Sequence, residues 1–291
     1  MLKESVDGLN IQPHGIYVDA TYGGGGYSRE ILKELGKGRL FAIDIDEEAA
    51  TNMPVSEKFV FIHGNFRYLG NYLKYYNVKE ADGIVADLGV SSHHFDSAKR
   101  GFTYRHEAPL DMRMNLSADF TAFNIVNEYD RDELTRIFRE YGELHHAGRI
   151  AGAIVRSRNE KKIETNIDLI NSINTLVPKR NVNQFLSQVF QALRIEVNKE
   201  LENLEIFLNV AGTFLKSGGR LVVVSYHSLE DRLVKNYMRW GNTREEPQKD
   251  VYGKRAEKFR ILTKKPVVPS ERELMMNPRS RSARLRIAEK I

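Results

Sequence analysis

The sequence predicts an α/β fold, a parallel sheet with helices on both faces, interrupted by a small all-helical insertion. Three observations support this expectation. Short apolar runs alternate with helical patterns across the N-terminal third, as strand–helix–strand units require. Four consecutive glycines, 23–26, lie where the first strand should turn into the first helix. From about Tyr104 to Pro178 the strand patterns stop and helical spacings replace them.

The elements follow in order. Strand one is expected at 16–19, and a helix from Ser28 to about Leu35, stopped by Gly36. Strands two, three and four fall at 40–44, 59–63 and 83–87, with a helix carrying Leu69, Tyr72 and Leu73 before the fourth. Inside the insertion, Asp130-Arg-Asp-Glu133 reads as a capping box ahead of Leu134, Ile137, Phe138 and Tyr141 at helical spacing. Ile150 and Ile154 form a second apolar stripe, and Ile167, Ile170, Ile173 and Leu176 a third. A long helix, roughly 183–215, leads back and ends at Lys216-Ser-Gly-Gly219. Strand five is 220–225, Ser228 with Asp231 caps the next helix, and 241–258 reads as an exposed loop. The expected domains are therefore 1–103 with 184–291, and a helical domain at 104–183.

The glycine loop indicates a nucleotide-type cofactor, because glycine lets backbone approach a ligand and a helix N-terminus offers free N–H groups. The G-x-G-x-x-G spacing for a pyrophosphate is absent. Instead Asp19 precedes the glycines, and Thr21 stands where a D-x-G-x-G-x-G loop has its first glycine. An acid followed by glycines suits a cofactor with a cationic amino-acid end and no phosphate, S-adenosylmethionine being the obvious one. Asp44 ends the second apolar run, where an acid can accept both ribose hydroxyls.

Composition narrows the chemistry. A chain of 291 residues can bury a substantial core. It has no membrane-length apolar run and no signal-peptide pattern, so a soluble, cytoplasmic protein without a membrane partner is expected. From Arg220 onward there are 18 Lys and Arg against 9 Asp and Glu, whereas the rest has 26 against 30. A basic C-terminal third on a mildly acidic body points to a polyanionic partner. The absence of cysteine excludes iron–sulfur radical chemistry, cysteine-ligated deaminase zinc and covalent activation of a pyrimidine for C5 methylation. A base methyltransferase of this composition should act on a heteroatom. The adjacent pairs His93-His94 and His145-His146 lack the i, i+4 spacing of helical zinc ligands, so no catalytic metal is expected.

Ligands of open parallel sheets sit beyond the carboxyl ends of the strands. Those ends carry Asp19 with the glycine loop, Asp44, His63-Gly64-Asn65-Phe66, Asp87-Leu-Gly-Val-Ser91-Ser-His-His94 and Ser225-Tyr-His227-Ser. Asn65 and Phe66 are placed to flank an adenine, and Asp87 opens a Gly/Ser-rich loop suited to a catalytic edge.

At this point the chain resembles the ribosomal RNA small subunit methyltransferase H family, also called MraW. The matching stretches begin with Tyr17-Val-Asp-Ala-Thr-Tyr followed by the four glycines, Asp87-Leu-Gly-Val-Ser-Ser and Pro109-Leu-Asp111-Met-Arg113-Met. Tyr141-Gly-Glu, Phe190-Gln-Ala-Leu-Arg-Ile, Ser225-Tyr-His-Ser-Leu-Glu-Asp-Arg and Asn277-Pro-Arg-Ser-Arg-Ser complete them in family order. The resemblance implies a Rossmann-like S-adenosylmethionine-dependent methyltransferase fold with the helical insertion. It also implies N4-methylation of one specific cytidine in the decoding region of 16S rRNA, with the small (30S) ribosomal subunit as partner; a homodimer is compatible with it. The family's cofactor contacts fall on Gly25, Gly26, Tyr27, Asp44, Phe66, Asp87 and His94, beside Asp19 and Gly23 of the loop. Tyr27 stands where the family commonly has His, and His94 where it often has Gln. A short His-x-Pro-Val-like lead-in has no counterpart ahead of Met1-Leu-Lys-Glu, which is expected to loosen one edge of the site.

The N4 lone pair of cytosine is delocalised, so acceptors must grip the amine while the methyl is held in line. Asp87 with the backbone of 88–91 is expected to do so, assisted by Ser91 or Asp111; Asp87 touching only the cofactor is the alternative. Arg113, beside Asp111, is expected to shape the base pocket, with a structural hinge as the other reading. His227 lines the target-base pocket or supports the strand end. Arg279, Arg281, Arg284 and Arg286 would offer phosphate contacts from one face of a strand, or form a charged edge strand that resists pairing. A nicotinamide oxidoreductase fits the glycine spacing poorly, and a non-catalytic RNA-binding factor would not need Asp44, Asp87 and the loop together.

Overall fold

The structure, a computed structural model, describes residues 1–89, 100–244, 246 and 257–291. The chain divides into two compact units, Met1–Gly89 with Leu201–Ile291, and Val90–Glu200.

The first unit is a seven-stranded sheet in the order β3-β2-β1-β4-β5-β7-β6. β1 (Ile16–Asp19), β2 (Arg39–Asp44), β3 (Phe59–His63), β4 (Ala81–Asp87) and β5 (Leu215–Ser225) run parallel. β7 (Arg284–Lys290) lies antiparallel between β5 and β6 (Phe259–Ile261). This is the Rossmann-like α/β architecture that the strand–helix alternation predicts. Alternation of side chains along each strand feeds two apolar layers. Val18, Phe41, Ile84 and Val223 point to one face, with the helices Leu69–Tyr75, Glu200–Phe214 and Ser228–Trp240. Tyr17, Leu40, Val85 and Val222 point to the other, with Leu2–Leu9 and Gly26–Glu34. Strand order reverses between β1 and β4, which opens a crevice at their carboxyl ends.

The second unit is helical: Ala122–Glu128, Arg131–Glu140, Ala147–Glu160, Asn166–Ile173 and Val182–Asn198 surround one core. The capping box forms as read, with Asp130 Oδ1 accepting from the Asp132 and Glu133 N–H groups and Glu133 Oε2 accepting from the Asp130 N–H, each at 2.8 Å. Leu134, Ile137 and Phe138 behind it are fully buried, each contributing about 1.5–3 kcal/mol. Among the described residues of this unit, strand pairing is limited to the isolated bridge Pro109–Thr165.

Four expectations need correction. The unit is wider than 104–183, because Leu186, Val189, Phe190 and Leu193 join its core and carry Val182–Asn198 with them. The expected single helix over 183–215 is two, broken where Lys199 takes a left-handed φ of 50°. Lys216-Ser-Gly-Gly219 does not stop a helix; it lies inside β5, where pairing with β4 shifts register. Finally, His227 rather than Ser228 caps the helix Ser228–Trp240, while Asp231 turns to arginines of β7. Of the loop expected at 241–258, residues 245 and 247–256 lie outside the described residues.

Candidate active site

β1 ends on Asp19, which is fully buried. Its Oδ2 accepts from Ser28 Oγ at 2.7 Å and its Oδ1 from the Thr21 N–H at 3.3 Å, so one carboxylate ties the strand end to the next helix. Burial pushes this carboxyl up to about 7, against those two hydrogen bonds, and the charges of Asp44 and Asp87 add to the rise. With no exposed surface, Asp19 acts on the space outside only through its charge and through the loop it fixes.

The loop itself depends on glycine at two points. Gly23 and Gly25 adopt φ of 50° and 72°, and a Cβ on Gly25 would strike the Tyr22 ring at 2.5–2.9 Å. Gly25 is the cap residue, so the helix opens at Gly26 rather than at Ser28. A Cβ on Gly24 or Gly26 would meet nothing within 4 Å. The first-turn amides, without intrahelical acceptors, thus border open space suited to a ligand.

Asp44, at the end of β2, accepts from the Gly23 N–H at 2.6 Å through Oδ2 and from the Asp46 N–H at 2.8 Å through Oδ1. It therefore holds the glycine loop. Beyond β3, Asn65 caps a 3₁₀ turn, Phe66–Tyr68, by accepting from the Arg67 N–H at 2.9 Å. Half-buried Phe66 packs edge-on against Phe207, ring centres 5.1 Å apart.

Asp87 ends β4 and gathers the rest. Tyr27 Oη donates to Oδ2 at 2.9 Å, Tyr226 Oη to the same oxygen at 3.4 Å, and the Gly89 N–H to Oδ1 at 3.1 Å. Its backbone N–H donates to Thr21 Oγ1 at 2.7 Å. The dense surroundings push the Asp87 carboxyl up from its ordinary value; the hydrogen bonds from Gly89, Tyr27 and Tyr226 pull it back, and the Glu230 charge raises it again. Burial and the Asp87 charge hold both phenols well above their ordinary value, so they remain donors. Asp19, Asp44 and Asp87 thus meet at the β1–β4 crevice with Gly23, Gly25, Gly26 and Tyr27. Ser91 and His94 lie outside the described residues.

Thr21 and Tyr226 had no role assigned from sequence. Thr21 replaces a glycine of the usual loop because its hydroxyl accepts from the Asp87 N–H, and its place between two strand-end acids was the available signal. Tyr226 needs the fold, since it lies 139 positions from Asp87. Glu230 was also missed: its Oε2 accepts from the Tyr226 N–H at 2.8 Å and the His227 N–H at 3.4 Å. His227 Nδ1 in turn accepts from the Glu230 N–H at 3.4 Å, so its side chain serves the helix cap.

The arginines differ from the expected single strand face. Arg279 and Arg281 are exposed on the 3₁₀ turn Pro278–Ser282, and only Arg284 and Arg286 are on β7. β7 is an interior strand, not an edge. Arg286 is buried, donating to Asp231 at 2.6 and 3.0 Å, and Arg284 reaches the same carboxylate at 3.2 Å. In the helical unit, Arg113 grips Asp111 through Nε at 2.7 Å and Nη2 at 2.8 Å. Burial works to raise the Asp111 carboxyl, but the hydrogen bonds and charge of Arg113, with the Arg100 charge, hold it below the usual range. Asp111 is therefore a poor proton acceptor, and its visible work is to orient Arg113.

The sequence model of the MraW methylase family matches residues 1–291. A Bacteroides thetaiotaomicron protein, "Ribosomal RNA small subunit methyltransferase H", is 51% identical over 291 residues, covering 100% of this chain and 96% of its own. A Flavobacterium psychrophilum protein of the same name is also 51% identical and is covered in full on both sides. Two solved structures at lower identity also match. An rRNA methylase from Streptococcus thermophilus gives a TM-score of 0.40 at 15% identity, covering 99% of this chain and 95% of that one. A Streptococcus mutans protein in complex with SAH gives 0.42 at 15%, covering 100% and 97%.

Proposed function

The chain belongs to the MraW methylase family, and on that premise we propose that it transfers a methyl group from S-adenosylmethionine to N4 of one cytidine in the decoding region of 16S rRNA, acting on the 30S subunit. The observation that carries this reading is the meeting of three carboxylates, Asp19, Asp44 and Asp87, around a glycine loop that faces open space. Negative potential there suits a cationic methyl donor, and the acid Asp44 suits ribose hydroxyls.

When bound, S-adenosylmethionine supplies an electrophilic methyl on a sulfonium. The residues around it bind and orient. Gly23, Gly25 and Gly26 bring backbone close, Asp44 takes the ribose and Phe66 flanks the adenine. Asp19 fixes the loop through Ser28 and Thr21. Among the described residues, three donors fill three of the roughly four acceptor positions of Asp87, and the fourth is assigned to an N4 hydrogen. A carboxyl raised from its ordinary value is also a better acceptor for the proton that N4 must release as the carbon–nitrogen bond forms. Tyr27 and Tyr226 hold that carboxylate in place. Arg279, Arg281 and Arg284 are assigned to RNA phosphates, and Arg113, positioned by Asp111, to the wall of the base pocket; His227 supports the strand end through the cap.

Methyl transfer from labelled S-adenosylmethionine to small subunits lacking the modification tests this reading. The expected product is N4-methylcytidine at a single site, identified by mass spectrometry of the nucleosides. Asp87→Ala should abolish transfer. Label on another base, or full activity of Asp87→Ala, would overturn the assignment.

A further inference from the structure

The β6 edge of the sheet carries a feature that the reaction above does not use. A groove of about 520 Å³ opens between the helix Ser228–Trp240, β6 and the turn at 263–266. It lies three strands from β4 in the sheet order. Its rim holds Lys235, Arg239, Arg260, Lys264 and Lys265, all exposed, and Met238 and Phe259 contribute apolar floor.

The charges are concentrated and poorly compensated. Arg260 pairs with Glu289, and the buried Arg286 is neutralised by Asp231. Among the described residues, no carboxylate forms an ion pair with Lys235, Arg239, Lys264 or Lys265, and Glu257 is the single acid of the lining. Like charges brought this close oppose folding unless something else gains from them.

The scaffold holds them in place. Lys235 and Arg239 are four apart on one helix, so they share a face. The lysine turn is pinned to β7 on both sides. Before it, the Leu262 N–H donates to the Ile287 carbonyl at 3.0 Å and the Ile287 N–H to Thr263 Oγ1 at 2.9 Å. After it, Val267 and Leu285 exchange two backbone hydrogen bonds of 2.9 Å. Pro266 restricts Lys265 to extended backbone.

We propose that this groove is a second RNA site, which holds the phosphodiester backbone of the substrate at a distance from the reacting base. It rests on the RNA-substrate reading above and adds to it four cations, Lys235, Arg239, Lys264 and Lys265, that are not among the individual contacts predicted from sequence. Cations on two separate elements match successive phosphates, and the apolar floor suits the sugar face between them. Such contacts position a nucleic acid without reading its sequence.

The test pairs Lys235→Glu/Arg239→Glu with Lys264→Glu/Lys265→Glu, and uses Lys74→Glu/Lys79→Glu, two exposed lysines outside the groove, to match the change in net charge. Binding to small subunits lacking the modification is measured by filter retention over a salt series. Each pair should weaken binding at least about tenfold near 0.1 M salt and flatten the log–log salt slope by about 0.7–0.9 for every phosphate that is no longer neutralised. KM for the subunit should rise while kcat at saturation stays at the parent value, and Lys74→Glu/Lys79→Glu should match the parent. The corresponding Gln pairs, with melting curves, separate a weakened phosphate grip from a failure to fold. If the parent binds and the folded variants share its affinity and slope, the groove proposal is overturned alone. If the parent itself neither binds nor methylates subunits, the RNA-substrate reading falls and takes the groove with it.

Discussion

Replacing Asp19 by Asn should make the sheet unit more stable at alkaline pH while damaging the methyl-donor site. Asp19 is fully buried, and its carboxyl stands at about 7 against an ordinary value of 3.8. Between those values the folded state holds a proton that the unfolded state releases. The stability this confers is fully present below about pH 4 and is lost as pH rises through about 7. At about 1.36 kcal/mol per pH unit, the full loss is about 4 kcal/mol. Asn has no charge to bury. Its oxygen can keep the Thr21 N–H, and Ser28 Oγ can turn to accept from its amide, so the local geometry survives at a cost of about 1 kcal/mol. Trp240, the only tryptophan of the chain, lies in this unit and reports its unfolding. Urea unfolding followed by its fluorescence should show the parent losing about 2–3 kcal/mol more than Asp19→Asn between about pH 5 and pH 8. Binding of S-adenosylmethionine should weaken in the same variant, the trade of stability for function that a buried charge implies. Parallel stability curves for parent and variant across that range would mean that Asp19 does not carry the buried proton.

Other consequences are equally direct. Tyr27→Phe deletes the 2.9 Å donor to Asp87; a hydrogen bond to a charged group is worth about 1.5–3 kcal/mol, so kcat should fall about 10–100-fold. The acidic limb of the kcat profile should also move to higher pH, because the ionised carboxyl has lost a donor; an unmoved limb would separate Tyr27 from Asp87. Titration calorimetry of S-adenosylmethionine should show proton release near pH 7, with affinity falling by up to about tenfold per pH unit below it as Asp19 takes up its proton. Affinity independent of pH from about 5 to 8 would exclude that linkage. Asp231→Ala leaves Arg286 buried without its partner, at a cost of about 3–5 kcal/mol. Asp231→Ala/Arg286→Met should recover much of that in urea unfolding; a double variant as unstable as the single one would count against a simple ion-pair account.

Much of this protein was legible as sequence because the relevant physics is local. The strands at Ile16–Asp19 and Phe59–His63 fall where their apolar runs predict, and the Asp130 capping box needs only residues three apart. Helix Leu2–Leu9 was not anticipated because no strand or cap marks it; what defines it is packing against β5 and Gly26–Glu34. The break at Lys199 was missed because a left-handed lysine has no compositional sign. The place of Arg286 depends on which strand β7 joins, and only that pairing sets it opposite Asp231.

Neighbouring residues alone were enough to set the fold class, the glycine loop and the three strand-end acids, since strand alternation and helix starts are written at short range. What each acid does waited on the assembled sheet. Asp19 is sealed beneath Ser28 and Thr21, Asp44 holds the glycine loop, and Asp87 is gripped by two tyrosines from distant parts of the chain. Burial and long-range hydrogen bonds set the protonation of a carboxylate, and neither exists until the sheet has brought its strand ends together.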